Sequence, residues 1–254
     1  MAADSTRAAG PTPGALLELD GVSVSVRGRA VLRSIDLHVG TGECHVLFGP
    51  NGSGKSALVM SIMGLPGYAV TAGRIRLRDE DITELPAHER AKRGLGLFYQ
   101  RPPTVHGVSL RELATLCQQE REAPESPQSL AERLRCAPLL DRDVNDGFSG
   151  GEIKLSELLQ LLAREPALSL IDEPDAGVDV DNLAVVGSAL RALIAGEAGC
   201  CPRAAILITH SGRILEYVKP DVAHVLGGGT LVRHGDPEKL LGEIRAHGYR
   251  EQPA

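Results

Sequence analysis

The chain has 254 residues, a formal net charge of −6 at pH 7, and only three Phe, four Tyr and no Trp among its aromatic residues. A chain of this length can bury about 70–75% of its unfolded surface in one large domain. The negative charge argues against a protein that binds mainly nucleic-acid phosphates, and so few aromatic side chains cannot build a stacking platform for single-stranded nucleic acid.

The apolar patterning predicts a soluble, cytoplasmic protein without direct membrane insertion. No stretch approaches the roughly 18 consecutive apolar residues of a membrane-spanning helix, and the N-terminal residues lack the apolar centre of an export signal. The five cysteines are odd in number and without CxxC spacing, which indicates reduced thiols rather than disulfides or a zinc site. The adjacent Cys200 and Cys201 could bind a soft metal, but a reactive or merely small pair in a loop is the favoured interpretation.

In chain order, the sequence predicts a disordered tail over residues 1–15, a single domain over 16–248 and a short tail at 249–254. Short β-branched runs separated by glycine-containing turns predict the first strands, and strands that alternate with helical segments follow them. This order is typical of an α/β domain with a mainly parallel sheet. The predicted strands are 22–26, 35–39, 44–48, 75–77, 95–99, 168–171, 205–209 and 222–226, with a helix near 87–93.

Between residues 104 and 164 the strand signal disappears, and we predict an all-helical insert. Two capping pairs, Ser109 with Glu112 and Ser129 with Glu132, precede apolar helical runs in this segment. A further helix is predicted over residues 153–164. Near the end of the chain, Asp236-Pro237 opens a last amphipathic helix, because proline is well tolerated at the first helical position.

The strongest motif satisfies G-x-x-x-x-G-K-[ST] and directly follows the apolar strand 44–48. Its glycines allow successive backbone N–H groups to point at phosphates, and the following helix adds its positive N-terminus. Lys55 would reach the β- and γ-phosphates, and Ser56 would offer its hydroxyl to Mg²⁺. The residues assigned to ATP binding are Gly49, Pro50, Asn51, Gly52, Ser53, Gly54, Lys55, Ser56 and Ala57.

A second element is the buried strand 168–171, which is followed by the adjacent carboxylates Asp172 and Glu173. Neighbouring residues of a strand point in different directions, so the two acids can serve different purposes. We expect Asp172 to hold Mg²⁺ and Glu173 to polarise the attacking water as a general base.

Three further segments complete the pattern: Phe148-Ser149-Gly150-Gly151-Glu152, Gln100 after strand 95–99, and His210 after strand 205–209. In this order they resemble the signature motif, Q-loop and switch histidine of an ATP-binding-cassette (ABC) ATPase, and the resemblance covers the chain from Leu16 onward. The resemblance implies a P-loop NTPase fold with a small antiparallel β subdomain and a short α-helical subdomain at about 104–164.

The resemblance also implies a transient ATP-dependent homodimer, because such ATPases work as head-to-tail pairs. In such a pair, the signature motif of one subunit closes over the nucleotide of the other. Gln100 and His210 would act with Glu173 in hydrolysis, and Gln100 would also contact Mg²⁺. The residues that would act across the dimer are Ser149, Gly150, Gly151, Glu152 and the D-loop residue Asp179.

Within the family, the flanking segments are similar to those of the SufC group, the ATPases of the SUF iron–sulfur cluster assembly machinery. These segments are 68–73, 148–152, 172–181, 213–221 and 247–249. The similarity implies a soluble SufB/SufD-like scaffold as partner. The alternatives are the ATP-binding subunit of a membrane transporter and a nucleotide-gated binding module with negligible turnover.

The adenine-stacking aromatic residue found near the first strands of many transporter ATPases is missing from residues 22–28. We therefore expect aliphatic contact with the base, through Val26 and Arg27.

Overall fold

The computed structural model describes residues 14–118, 125–196 and 203–249, which fold as α/β structure. The strands are β1 (Ala15–Val26), β2 (Arg29–Gly40), β3 (Cys44–Phe48), β4 (Tyr68–Leu77), β5 (Glu80–Asp81), β6 (Leu95–Phe98), β7 (Val105–Ser109), β8 (Asp143–Val144), β9 (Leu168–Asp172), β10 (Ala204–Ile208), β11 (Val222–Gly227) and β12 (Thr230–Gly235). The helices are α1 (Lys55–Met63), α2 (Ala87–Lys92), α3 (Leu110–Gln118), α4 (Pro127–Arg133), α5 (Gly150–Arg164), α6 (Val180–Ala195) and α7 (Pro237–His247).

The first sheet is antiparallel, with strand order β2-β1-β4-β5. The hairpin of β1 and β2 turns at Arg27 and Gly28, which both have positive φ, as a tight hairpin with the usual right-handed twist requires. The predicted strand at 75–77 belongs to this antiparallel sheet, through β4, and not to the parallel sheet that we expected it to join.

The second sheet has the order β12-β11-β3-β10-β9-β6 and is parallel except for the pair β11–β12. Every residue of β3, β9 and β10 is buried, which explains why these strands are continuous apolar runs rather than alternating ones. Helix α1 packs between the two sheets, and helices α3, α5 and α6 form a second apolar core with the opposite face of the parallel sheet. The carboxyl ends of the parallel strands therefore meet at one edge, where ligands bind in open α/β sheets.

The segment 104–164 is not all-helical. Strand β7 pairs with β8, with Val105 opposite Val144 and Ser109 opposite Asp143. Three of the five residues of β7 are exposed, so this strand carries little of the apolar alternation by which strands are recognised. Its partner β8 has only two residues.

The helix caps agree with the predictions in part. Ser109 and Glu112 form a reciprocal pair, in which each backbone N–H donates to the other's side chain, and Asp236 caps α7. The cap predicted at Ser129 is wrong, because Ser126 caps α4 and accepts a hydrogen bond from the Ser129 N–H. Pro127 at the first helical position is the signal for this earlier start. Helix α5 also begins earlier than predicted, at Gly150.

None of the helices within the described ranges is long and apolar enough to cross a bilayer. Cys200 and Cys201 lie outside the described residues, as do residues 1–13 and 250–254.

Candidate functional site

An open cavity of about 680 Å³ lies at the carboxyl edge of the parallel strands. This volume is within the range of typical small-molecule sites, roughly 300–1,000 Å³. It brings together most of the predicted ATP-binding and catalytic residues, along with three apolar or aromatic side chains from the first sheet. The lining residues are Val26, Val31, Asn51, Gly52, Gly54, Lys55, Ser56, Ala57, Tyr68, Gln100, Glu173 and His210.

The loop between β3 and α1 curls around the Lys55 ammonium group. Lys55 Nζ donates hydrogen bonds to the carbonyl oxygens of Gly49, at 2.8 Å, and Pro50, at 3.0 Å. A side chain at Gly49 cannot be accommodated, because its Cβ would lie 2.3 Å from the Leu226 carbonyl oxygen. Ser53 Oγ is buried and has no hydrogen-bond partner among the described residues. The loop therefore places the positive charge of Lys55 in the wall of the cavity.

Burial lowers the pKa of Lys55, and the nearby charges of Glu173 and Asp172 oppose this effect. The two carboxylates thus favour the charged form of the lysine, which is the form that binds anions.

Asp172 is the last residue of β9, and its side chain is fully buried. Neither of its carboxylate oxygens has a hydrogen-bond partner among the described residues. Burial raises the pKa of Asp172, whereas the neighbouring Ser56 hydroxyl lowers it. Two unpaired buried oxygens beside a hydroxyl are a donor set that suits a hard divalent cation.

Glu173 is held between the two other residues predicted to be catalytic. Its Oε2 accepts a hydrogen bond from Gln100 Nε2 at 2.5 Å, and its Oε1 lies 2.6 Å from His210 Nε2. The backbone of Glu173 has a φ of +51°, a left-handed conformation that is uncommon for residues other than glycine. This turn directs the Glu173 side chain into the cavity while that of Asp172 stays in the interior.

Asp175 supports the loop that carries His210, a role that we did not predict. Its carboxylate accepts hydrogen bonds from Thr209 Oγ1, at 2.8 and 3.1 Å, and from Ser211 Oγ. The residues on both sides of His210 are thereby tied to the segment that follows Glu173. These hydrogen bonds could not be predicted from local sequence patterns, because Asp175 and Thr209 lie 34 positions apart in the chain.

The first sheet contributes Tyr68, Val26 and Val31 to the lining of the cavity. Tyr68 begins β4 and lies opposite Val26 of β1 in the sheet. Arg27, which we expected to contact the base together with Val26, does not line this cavity, whereas the aromatic Tyr68 does. The aromatic side chain of this cavity therefore belongs to β4 and not to β1.

The signature residues 149–152 and Asp179 lie outside this cavity. Ser149 caps α5 through a reciprocal pair with Glu152, and Asp179 caps α6. The two caps are neighbours, since a Cβ on Gly151 would lie 3.3 Å from Asn182 Nδ2, which itself donates to Asp179. Both helix N-termini are thus available to a molecule that approaches this surface from outside.

Comparison with known proteins is consistent with this geometry. The sequence model of the family described as "ABC transporter" matches residues 32–176. The chain is 38% identical to "Probable ATP-dependent transporter SufC" of Escherichia coli (strain K12), over 92% of this chain and 97% of that protein. It is 36% identical to "Vegetative protein 296" of Bacillus subtilis (strain 168), over 92% of this chain and 91% of that protein.

Solved structures agree at the level of the fold. A nucleotide-free ATP-binding cassette from an ABC transporter superimposes with a TM-score of 0.74 at 22% identity, covering 94% of this chain and all of that one. From the family match, the identity to these relatives and the fold together, we conclude that the chain belongs to the ABC family and is an ATP-hydrolysing ABC ATPase subunit.

Proposed function

We propose that the protein hydrolyses ATP at two composite sites of a transient homodimer, and that dimer closure changes the conformation of a soluble scaffold for iron–sulfur cluster assembly. The proposal that the protein hydrolyses ATP is supported by one observation. Gln100, Glu173 and His210 line the same cavity as Lys55 and contact one another there. The similarity to SufC over 92% of the chain supports the proposed function in iron–sulfur cluster assembly.

In this proposal, the loop 49–56 binds the phosphates of ATP. Lys55 supplies a positive charge to the β- and γ-phosphates, and the N–H groups at the start of α1 supply oriented donors. Val26, Val31 and Tyr68 contact the adenine base, which places the γ-phosphate near Glu173.

The carboxylate of Asp172 and the hydroxyl of Ser56 fit Mg²⁺, because Asp172 has two buried oxygens without partners. Gln100 would add a carbonyl oxygen to this set. Mg²⁺, when bound with ATP, would neutralise part of the charge on the transferred phosphoryl group.

Glu173 acts as the general base. Its carboxylate takes a proton from water as the water oxygen bonds to the γ-phosphorus, while the bond from that phosphorus to the bridging oxygen breaks and leaves ADP. Each Glu173 oxygen has one polar contact, to Gln100 or to His210, and keeps a second lone pair that can accept the proton. His210 then contacts the γ-phosphate and senses its loss.

The second half of each site comes from the partner subunit. Ser149 and Gly150 are exposed at the N-terminus of α5, and the first N–H groups of this helix, near Gly150 and Gly151, suit a γ-phosphate bound to another copy of the chain. Glu152 holds Ser149 in this conformation, and Asp179 connects the two sites.

A transporter subunit is the second candidate, and a specific observation favours it. The matching family is described as "ABC transporter", and several relatives are named as probable ABC transporter ATP-binding proteins. In that case the same dimer would move the cytoplasmic helices of a permease.

The first experiment replaces Glu173 with Gln, which preserves side-chain size and removes the base. We expect ATP hydrolysis to fall by about 10²-fold or more, with ATP still bound, because general-base catalysis contributes roughly this much. Steady-state phosphate release and equilibrium binding of ATP measure the two effects. Glu238→Gln, an exposed carboxylate on α7 that does not line the cavity, is the control. Equal hydrolysis rates in wild type and Glu173→Gln would contradict the role of Glu173.

The second experiment identifies the partner. Glu173→Gln loaded with ATP serves as bait in native cytosol and solubilised membranes. We expect a soluble scaffold to copurify in defined stoichiometry and to raise the ATPase rate of the wild-type protein. A polytopic membrane protein in its place would contradict cluster assembly and support transport.

A further inference from the structure

Two buried ionisable residues on α5 are not part of the mechanism proposed above. Lys154 is 4% exposed and Glu157 is 6% exposed, although both lie in a helix whose other buried residues are almost all apolar. They are three positions apart, so they lie on the same face of the helix. Buried charges of this kind are costly and need specific partners.

Their partners are backbone groups at the base of the loop that carries Gln100. Lys154 Nζ donates to the carbonyl oxygen of Gln100 at 2.9 Å and to that of Tyr99 at 3.3 Å. The Tyr99 N–H donates to Glu157 Oε2 at 3.1 Å. Lys154 Nζ also lies 4.9 Å from the centre of the Phe98 ring. Four contacts therefore connect one face of α5 to the consecutive residues 98–100.

The contacts between α5 and residues 98–100 lie at the C-terminal end of β6. Phe98 is the last residue of β6 that pairs with β9, so Tyr99 and Gln100 leave the sheet with backbone groups that no neighbouring strand satisfies. Side chains of α5 supply the missing partners. The direction of the chain at Gln100 is thus set by α5 rather than by the sheet.

Helix α5 is also the helix that begins with the signature residues. Ser149 caps it, and Lys154 follows one and a half turns later on the same rigid element. The backbone of Gln100 is consequently fastened to the element that would meet the nucleotide of the partner subunit, while the Gln100 side chain holds Glu173.

We propose that Lys154 and Glu157 are positioning residues that fasten Gln100 to α5, so that a movement of the signature helix moves Gln100 relative to Glu173. This proposal rests on the functions proposed above for Gln100 and Glu173. Lys154 and Glu157 act through the backbone of residues 99 and 100, to which they are hydrogen-bonded. The charge of Lys154 also interacts with Asp172 and Glu173, whereas Glu157→Leu leaves that charge in place.

The test compares Lys154→Met, Glu157→Leu and Glu157→Gln with the wild type. Lys154→Met and Glu157→Leu remove the hydrogen bonds to the loop, and we expect each to lower kcat by about tenfold or more, because a misplacement of about 1 Å can have effects of this size. The Kd for ATP should change by less than about threefold, since phosphate and base contacts are untouched. Glu157→Gln keeps an acceptor for the Tyr99 N–H and should retain a kcat near that of the wild type.

A double-mutant cycle with Gln100→Ala separates positioning from a general effect on the fold. If Lys154 acts through Gln100, then Lys154→Met should lower kcat by less than about twofold in the Gln100→Ala background. Multiplicative effects would overturn the proposal, as would a wild-type kcat in Lys154→Met. Should Lys154→Met fail to fold, as judged by thermal unfolding, the same cycle is run with Glu157→Leu and with Glu157→Gln as its control.

The kcat of the single variant Gln100→Ala distinguishes failure of the function proposed for Gln100 from failure of the positioning function proposed for Lys154 and Glu157. A normal kcat in this variant would overturn the function proposed for Gln100 and with it the positioning proposal. A slow Gln100→Ala together with a normal Lys154→Met and a normal Glu157→Leu would overturn only the positioning proposal.

Discussion

At the residue scale, Tyr68 is a cavity residue that the sequence alone did not predict. It lines the cavity together with Val26 and Val31. A flat aromatic ring beside two aliphatic side chains forms a surface that suits a purine base.

We predict that Tyr68→Ala raises the Kd for ATP by roughly 2- to 10-fold, which corresponds to the 0.5–1.5 kcal/mol typical of an aromatic contact. Tyr68→Phe keeps the ring and should bind ATP as the wild type does. Equilibrium titrations with ATP and with inorganic triphosphate, which has no base, measure the effect. Weaker binding of triphosphate by Tyr68→Ala would indicate a disturbed phosphate loop instead of a lost base contact.

The residues of the phosphate loop were predictable, whereas Tyr68 and Asp175 were not. The loop is one continuous segment in which the spacing of glycine, lysine and serine follows from binding phosphate with backbone N–H groups. Tyr68 reaches the cavity because β4 pairs with β1, and Asp175 reaches the His210 loop across neighbouring strands. Such positions depend on strand order, which local spacing does not determine.

At the element scale, the start of α4 illustrates a competition between two caps. Ser126 and Ser129 are both serines that precede apolar residues, and only the first has Pro127 next to it. Proline has its φ preset for a helix and needs no N–H partner in the first turn, so the helix begins there.

We expect Ser126→Ala to lower the free energy of unfolding by about 1 kcal/mol and the Tm by about 2–4 °C, because it leaves an N–H group at the helix start without a partner. Ser129→Ala is the matched control within the same helix and should change the stability by less than about 0.5 kcal/mol. Thermal unfolding followed by circular dichroism compares the two. A larger loss in Ser129→Ala would place the functional cap at Ser129.

The fully buried strands of the parallel sheet were predictable, whereas the short pair β7 and β8 was not. Strands β3, β9 and β10 are apolar throughout, and α7 has both a cap and an amphipathic pattern. Strand β7 is stabilised mainly by its backbone pairing with the two residues of β8. Pairing between segments more than thirty residues apart leaves almost no local signal.

At the scale of the whole molecule, the proposed mechanism divides each active site between two subunits. The phosphate loop, Glu173 and His210 surround one cavity, whereas Ser149 and Asp179 lie on a surface outside it. Under the proposed mechanism, a complete site requires two copies that face each other head to tail.

We predict that Lys55→Ala and Ser149→Arg, each inactive alone, recover hydrolysis when they are mixed. A mixed dimer has one intact site and one site with both defects, so random pairing allows roughly a quarter of the wild-type rate at most. Phosphate release from the mixture is compared with that of each variant at the same total concentration. No recovery, while differently tagged variants copurify in ATP, would contradict composite sites.

The left-handed backbone at Glu173 has a consequence for how the protein can evolve or be engineered. A glycine at this position would adopt the same φ without the steric cost of about 1 kcal/mol that a side chain carries there. Relief of strain would thus accompany loss of the carboxylate that we propose as the general base. Selection for thermal stability alone would favour inactive chains at this position, so a stabilised variant must be screened for turnover as well as for folding.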